Sequence, residues 1–189
     1  GIETQQTMGS NGLFNTYNAV GGKTEKLHYY AFFDHRNANG YRYNSRYYTN
    51  SGFGTITYKI NKKLSLSAEL MVSHIRSQQP GGLADVQLTQ YVKQSLRSRN
   101  WFDITWAIIA NYRFNEDARL HVKLFGIAGD RNSVGYFPAG GIVIADSINK
   151  NTNQYNPRNI NTDNYRNAGL EARLITDYRL FNAKHTLSA

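Results

Sequence analysis

Period-2 alternation constrains this chain more than any other feature of its sequence. In the run LSLSAELMV at 64–72, Leu64, Leu66, Ala68, Leu70 and Val72 are apolar, while Ser65, Ser67 and Glu69 between them are not. Successive side chains of a strand point to opposite faces, so this pattern predicts a strand with one apolar face. The same parity sets Phe102, Ile104, Trp106, Ile108, Ala110, Tyr112 and Phe114 against Asp103, Thr105, Asn111 and Arg113. It recurs at Leu120, Val122 and Leu124 against Arg119, His121 and Lys123. A fourth run sets Ala168, Leu170, Ala172, Leu174, Tyr178 and Leu180 against Glu171, Arg173, Asp177 and Arg179. Less regular strands are expected over 2–8, 13–20, 27–36 and 52–60. The expected class is all-β, with about nine antiparallel strands.

The connections sort by length. Residues 22–26, 61–63, 115–117 and 181–184 form short polar turns, and the segments 37–47, 77–100 and 136–163 are long and rich in Asn, Gly, Ser, Arg and Tyr. Tight turns at one rim and long loops at the other predict an up-and-down transmembrane β-barrel, of which these strands would be a part. A helical membrane protein is excluded, because the longest wholly apolar run, Trp106–Ala110, falls far short of the roughly 20 residues a spanning helix needs. Barrel strands need only alternate apolar residues, so a hydrophobic content of 40% is no obstacle. Leu88, Tyr91, Val92 and Leu96 fall near helical spacing, which predicts a short amphipathic helix within the second long loop.

Aromatic placement supports the membrane reading. Tyr29, Tyr58, Tyr112, Phe114 and Tyr178 share the apolar parity and lie within a few residues of a tight turn, as an interfacial girdle would. Strand propensity alone also favours Tyr and Phe at such positions. The opposite parity carries Glu69, Asp103, Arg113, His121, Glu171 and Arg173, which suits a wet lumen.

Motifs for covalent chemistry are missing. The chain has no Cys, which excludes disulfides and thiolate metal sites. Gly22, Lys23 and Thr24 resemble the end of a phosphate-binding loop, but its first glycine would fall at Tyr17. The five His are scattered singly, no Gly-x-Ser-x-Gly nucleophile motif appears, and the polar-face carboxylates belong to different strands. No catalytic residue, metal site or cofactor is expected. The formal charge is +9, yet Lys and Arg are dispersed along the sequence, which argues against a nucleic-acid partner.

Basic residues of the long loops are the site candidates. Arg36, Arg42 and Arg46 surround the first long loop; Lys93, Arg97 and Arg99 lie in the second, with only Asp85 against them. A guanidinium offers a planar fork of donors to carboxylate or phosphate oxygens, so this rim would receive an anionic ligand. Solvated loop charges, or cations facing the phosphates of an outer leaflet, are the competing readings. Gly1 is neither Met nor part of a signal segment, and 185–189 reads as the start of a strand, so an internal piece of a longer chain is expected.

The segments TMGSNGLFNTYNAVGG (7–22), AFFDHRNANGYRYNS (31–45), SQQPGGLADVQ (77–87), SLRSRNWFDITW (95–106) and KLFGIAGDRNSVGY (123–136) resemble the barrel of TonB-dependent outer-membrane receptors. The nearest branch is similar to the ferric-citrate and ferric-siderophore transporters. The resemblance implies a 22-stranded barrel filled by an N-terminal plug and preceded by a TonB-binding box. Residues 1–189 would then be the N-terminal part of the barrel domain, without plug, box or later strands. It also implies a bacterial outer-membrane location, contact with outer-membrane lipids, coupling to the TonB complex through the missing N-terminal region, and a ferric chelate as cargo. Two other classes stay open on the residues alone. One is a soluble β-rich module binding carbohydrate or protein, and the other is an outer-membrane barrel enzyme.

Overall fold

The computed structural model describes residues 1–41, 44–80, 96–135, 148–149, 151–155, 159–181 and 183–189. The strands are β1 (Ile2–Gly9), β2 (Leu13–Lys23), β3 (Leu27–Ala38), β4 (Tyr47–Lys59), β5 (Leu64–Pro80), β6 (Leu96–Arg113), β7 (Ala118–Gly135), β8 (Ile148–Asn149), β9 (Gln154–Tyr155), β10 (Asn159–Leu180) and β11 (Ala183–Ser188). Nine of them make one sheet in the order β1-β2-β3-β4-β5-β6-β7-β10-β11, and β8 with β9 forms a separate two-stranded piece. Every neighbour in the large sheet is antiparallel and next in line, so the meander runs up and down without a crossover. The expected all-β, up-and-down architecture is therefore present. No helix occurs among the described residues.

Side-chain oxygens shape three of the tight turns. Thr24 Oγ1 accepts from Leu27 N at 3.0 Å. Asn61 Oδ1 accepts from Lys63 N and Leu64 N at 2.8 and 2.9 Å, and Asn115 Oδ1 accepts from Asp117 N and Ala118 N at 2.9 and 2.7 Å. Such oxygens stand in for backbone acceptors and hold the chain reversal. The opposite rim departs from expectation in one place. β1 and β2 join there through only Ser10, Asn11 and Gly12, with φ of 57° at Asn11 and 65° at Gly12. Both residue types tolerate the left-handed region that a short hairpin turn demands. The strands also run further than the alternation suggests: β5 reaches Pro80 and β6 begins at Leu96, which shortens the second long loop. Leu96 is thus strand rather than helix; the rest of the predicted helix, 88–95, lies outside the described residues.

The sheet is staggered. One register row runs through Leu27, Tyr58, Leu66, Ala110, Val122 and Ala172. It meets β3 at its first residue, β5 at its third and β7 at its fifth; on β10 it lies 8 residues before the end at Leu180. Each tight turn therefore lies further along the register than the one before it. Strands inclined to a common axis produce such a stagger, and a sheet that closes into a barrel requires it.

The two faces differ. One carries Val20, Phe33, Ile56, Leu66, Leu70, Ile104, Trp106, Ile108, Val122, Leu124, Leu170 and Leu174 as a continuous apolar band across β2–β10. Leu70, Ile108 and Leu170 are 50%, 53% and 71% exposed, so among the described residues no second layer covers them. Tyr29, Tyr58, Tyr112, Phe114 and Tyr178 are also exposed on the turn side of this band, and they step down with the staggered turns. Toward the loop rim the same face becomes polar. His35 bonds Asn50 and Asn37 at 2.7 and 3.0 Å, and His74 bonds Asn100 at 2.8 Å. Among the described residues the only buried apolar side chains are Ala19, Ala38 and Ala107, and no large side chain is fully buried. This is a single-layer wall without a core of its own.

Candidate functional site

The odd positions of β6 point to the face opposite the apolar band, and near the loop rim they carry Arg99, Trp101 and Asp103. Register sets Trp101 beside Arg131 of β7, and sets Asp103 beside Gly129, which in turn neighbours Tyr165 of β10. Five side chains from three strands thereby converge. The Arg131 guanidinium lies 5.0 Å from the Trp101 ring centre and 4.9 Å from that of Tyr165, and Arg99 lies 5.2 Å from the Trp101 ring. The indole thus carries two cations, an arrangement its π face favours.

Asp103 ties the group together. Its carboxylate accepts the Tyr165 hydroxyl proton and stands 3.7 Å from Arg131 Nη2. Gly129 makes this contact attainable, because a Cβ there would collide with both the Asp103 carboxylate and the Tyr165 ring. Two donors, Trp101 Nε1 and Arg131 Nε, are covered and unpaired. The Arg131 side chain is 42% exposed and Arg99 is exposed, so the two guanidinium groups can offer an anion charge-assisted hydrogen bonds that the two covered donors cannot.

The sequence candidates fare unevenly. Arg99 belongs to this cluster. Arg97 occupies the register position opposite Gln79, two residues from Arg99 along extended chain. Arg36 is ion-paired to Asp34, Nε to Oδ2 at 2.7 Å, on β3. Two strands, β4 and β5, separate it from β6, so it does not join Arg99. Arg46 is exposed just before β4, where its carbonyl accepts from Gln78 N at 2.7 Å. Arg42 and Lys93 lie outside the described residues. Arg131 and Tyr165 were missed by sequence reasoning. Their available signal was parity: once β6, β7 and β10 are aligned from their tight turns, both fall beside Trp101 and Asp103.

No group of three or more His, Cys, Asp or Glu suited to a metal ion exists among the described residues. The sequence matches no protein-family model and no curated protein. The large sheet is a nine-stranded antiparallel meander, apolar on one face and bearing an arginine–tryptophan–tyrosine cluster on the other.

Proposed function

We propose that this chain is part of the barrel wall of a TonB-dependent outer-membrane receptor that imports a ferric chelate such as ferric citrate or a ferric siderophore. The observation that carries the reading is the exposed apolar band with its aromatic border following the staggered tight-turn rim. Lipid covers such a band in an outer-membrane barrel, and interfacial rings mark its edge. The polar face lines the lumen, and Arg99, Trp101 and Arg131 form a basic, aromatic patch suited to an anionic chelate. Transport involves no covalent chemistry: the loops capture the chelate, the lumenal cations hold it, and the TonB complex supplies the energy for release. A soluble sandwich would need a second layer over the apolar band, and the described residues provide none.

Uptake of radiolabelled iron by cells expressing the gene tests the proposal. Ferric citrate and representative ferric siderophores should be screened with TonB present and absent. The account expects at least one chelate to bind in both backgrounds and to accumulate only with TonB. Accumulation indifferent to TonB, or binding of no chelate, would contradict it.

A further inference from the structure

The tight-turn end of the polar face holds a second concentration of charge. A depression of about 760 Å³ is lined by six cations, Lys59, Lys62, Lys63, Arg113, Arg119 and Arg173, and, among the described residues, by no carboxylate. Three of these cations are neighbours, Arg113 on β6, Arg119 on β7 and Lys63 in the turn just before β5. Arg113 is the register partner of Arg119, and Arg113 N bonds the carbonyl of Lys63 at 2.8 Å. Like charges directly opposite on a sheet destabilise it, so a stable wall gains little from this row unless something neutralises it. Of the nearby carboxylates, Glu116 and Asp117 stand in the turn between Arg113 and Arg119 but are not part of the basin's lining. Glu171 is held by Arg173 at 2.6 Å, and Asp177, which lies close enough to Arg119 to feel its charge, is taken by Lys184 at 3.1 Å and Thr186 at 2.6 Å. The next register row adds neutral hydrogen-bonding groups: Ser65, Asn111 and His121, with His121 Nδ1 bonded to Asn111 at 2.8 Å.

From this geometry we propose that the basin binds a soluble, multiply charged oxyanion of the phosphate or polyphosphate type. Strands about 4.8 Å apart deliver Lys63, Arg113 and Arg119 at a spacing that one extended oxyanion can bridge. Guanidinium forks at two of the three positions favour tetrahedral oxyanions over monovalent ions. The basin opens on the face opposite the apolar band, which makes a lipid headgroup the wrong source. The inference stands whether or not the chain serves iron transport.

Calorimetric titration of the purified protein in neutral detergent with inorganic tripolyphosphate tests it. Saturable binding is expected, weakening as salt rises and falling about tenfold or more in R113Q/R119Q through the loss of charge-assisted bonds. R113K/R119K should retain much of the affinity. K23Q, which removes a turn-side cation outside the basin, should bind like the parent. Should the double glutamine variant misfold, K63Q provides the same comparison at one position, with a loss of about threefold expected for a single exposed contact. Absence of saturable binding, or an equal loss in K23Q, would overturn the proposal. So would displacement of tripolyphosphate by short-chain phosphatidylglycerol, which would point to a headgroup instead.

Discussion

Along β6, Phe102, Ile104, Trp106 and Ile108 alternate with Trp101, Asp103, Thr105 and Ala107, so one strand presents two unlike surfaces. The even residues continue a band of exposed apolar side chains onto β5 and β7. Trp101 stacks on the Arg131 guanidinium, and Asp103 bonds the Tyr165 hydroxyl and faces Arg131. A single-layer sheet cannot hide either surface in a core, so each must be matched by what lies beyond it. Among the described residues neither surface packs against a second layer, so each depends on what it faces more than on internal packing.

The largest expected effect comes from putting the same charge on either face. Ile108→Arg, in the middle of the apolar band, should cost about 2–4 kcal/mol if lipid covers that face. Thr105→Arg, on the exposed opposite face, should stay within about 0.5 kcal/mol. Denaturant unfolding in phospholipid vesicles compares them directly, and equal costs would erase the distinction between faces.

Smaller effects sharpen the account of the polar side. Gly129→Ala forces a methyl against Asp103 and Tyr165 and should cost about 1–3 kcal/mol, the usual range for overpacking. Tyr165→Phe removes only the bond to Asp103 and should cost about 1 kcal/mol. If the cluster preorganises Arg131, both variants should also weaken chelate binding. Smallest is Asn61→Ala, which deletes the acceptor shaping one tight turn for about 0.5–1 kcal/mol and should leave both faces as they are.

Much of the fold was legible because alternation states face directly. β5, β6, β7 and β10 could be read from parity, and their tight turns from Asn61, Asn115 and neighbouring polar residues. Strand ends were less legible. Beyond the apolar band His35, Asn50, His74 and Asn100 are polar on the nominally apolar face, so the alternation fades while the backbone ladder continues. The site was legible only in part, because Arg99 stood out in a basic loop whereas Arg131 sits in a Gly- and Ser-rich stretch whose partner is set by register. Charge was the most misleading feature. Lys63, Arg113 and Arg119 look dispersed along the sequence, yet two tight turns bring them side by side.

The chain's two tryptophans happen to divide between the faces, Trp101 on the polar side and Trp106 in the apolar band. Fluorescence quenching by phospholipids brominated along their acyl chains therefore reports which face meets lipid. In the reconstituted protein, W101F leaves Trp106 as the sole emitter and should be strongly quenched. W106F leaves Trp101 and should be quenched little, while remaining accessible to aqueous acrylamide. Equal quenching of the two variants, or quenching confined to Trp101, would contradict the assignment of the apolar band to lipid and the arginine cluster to water.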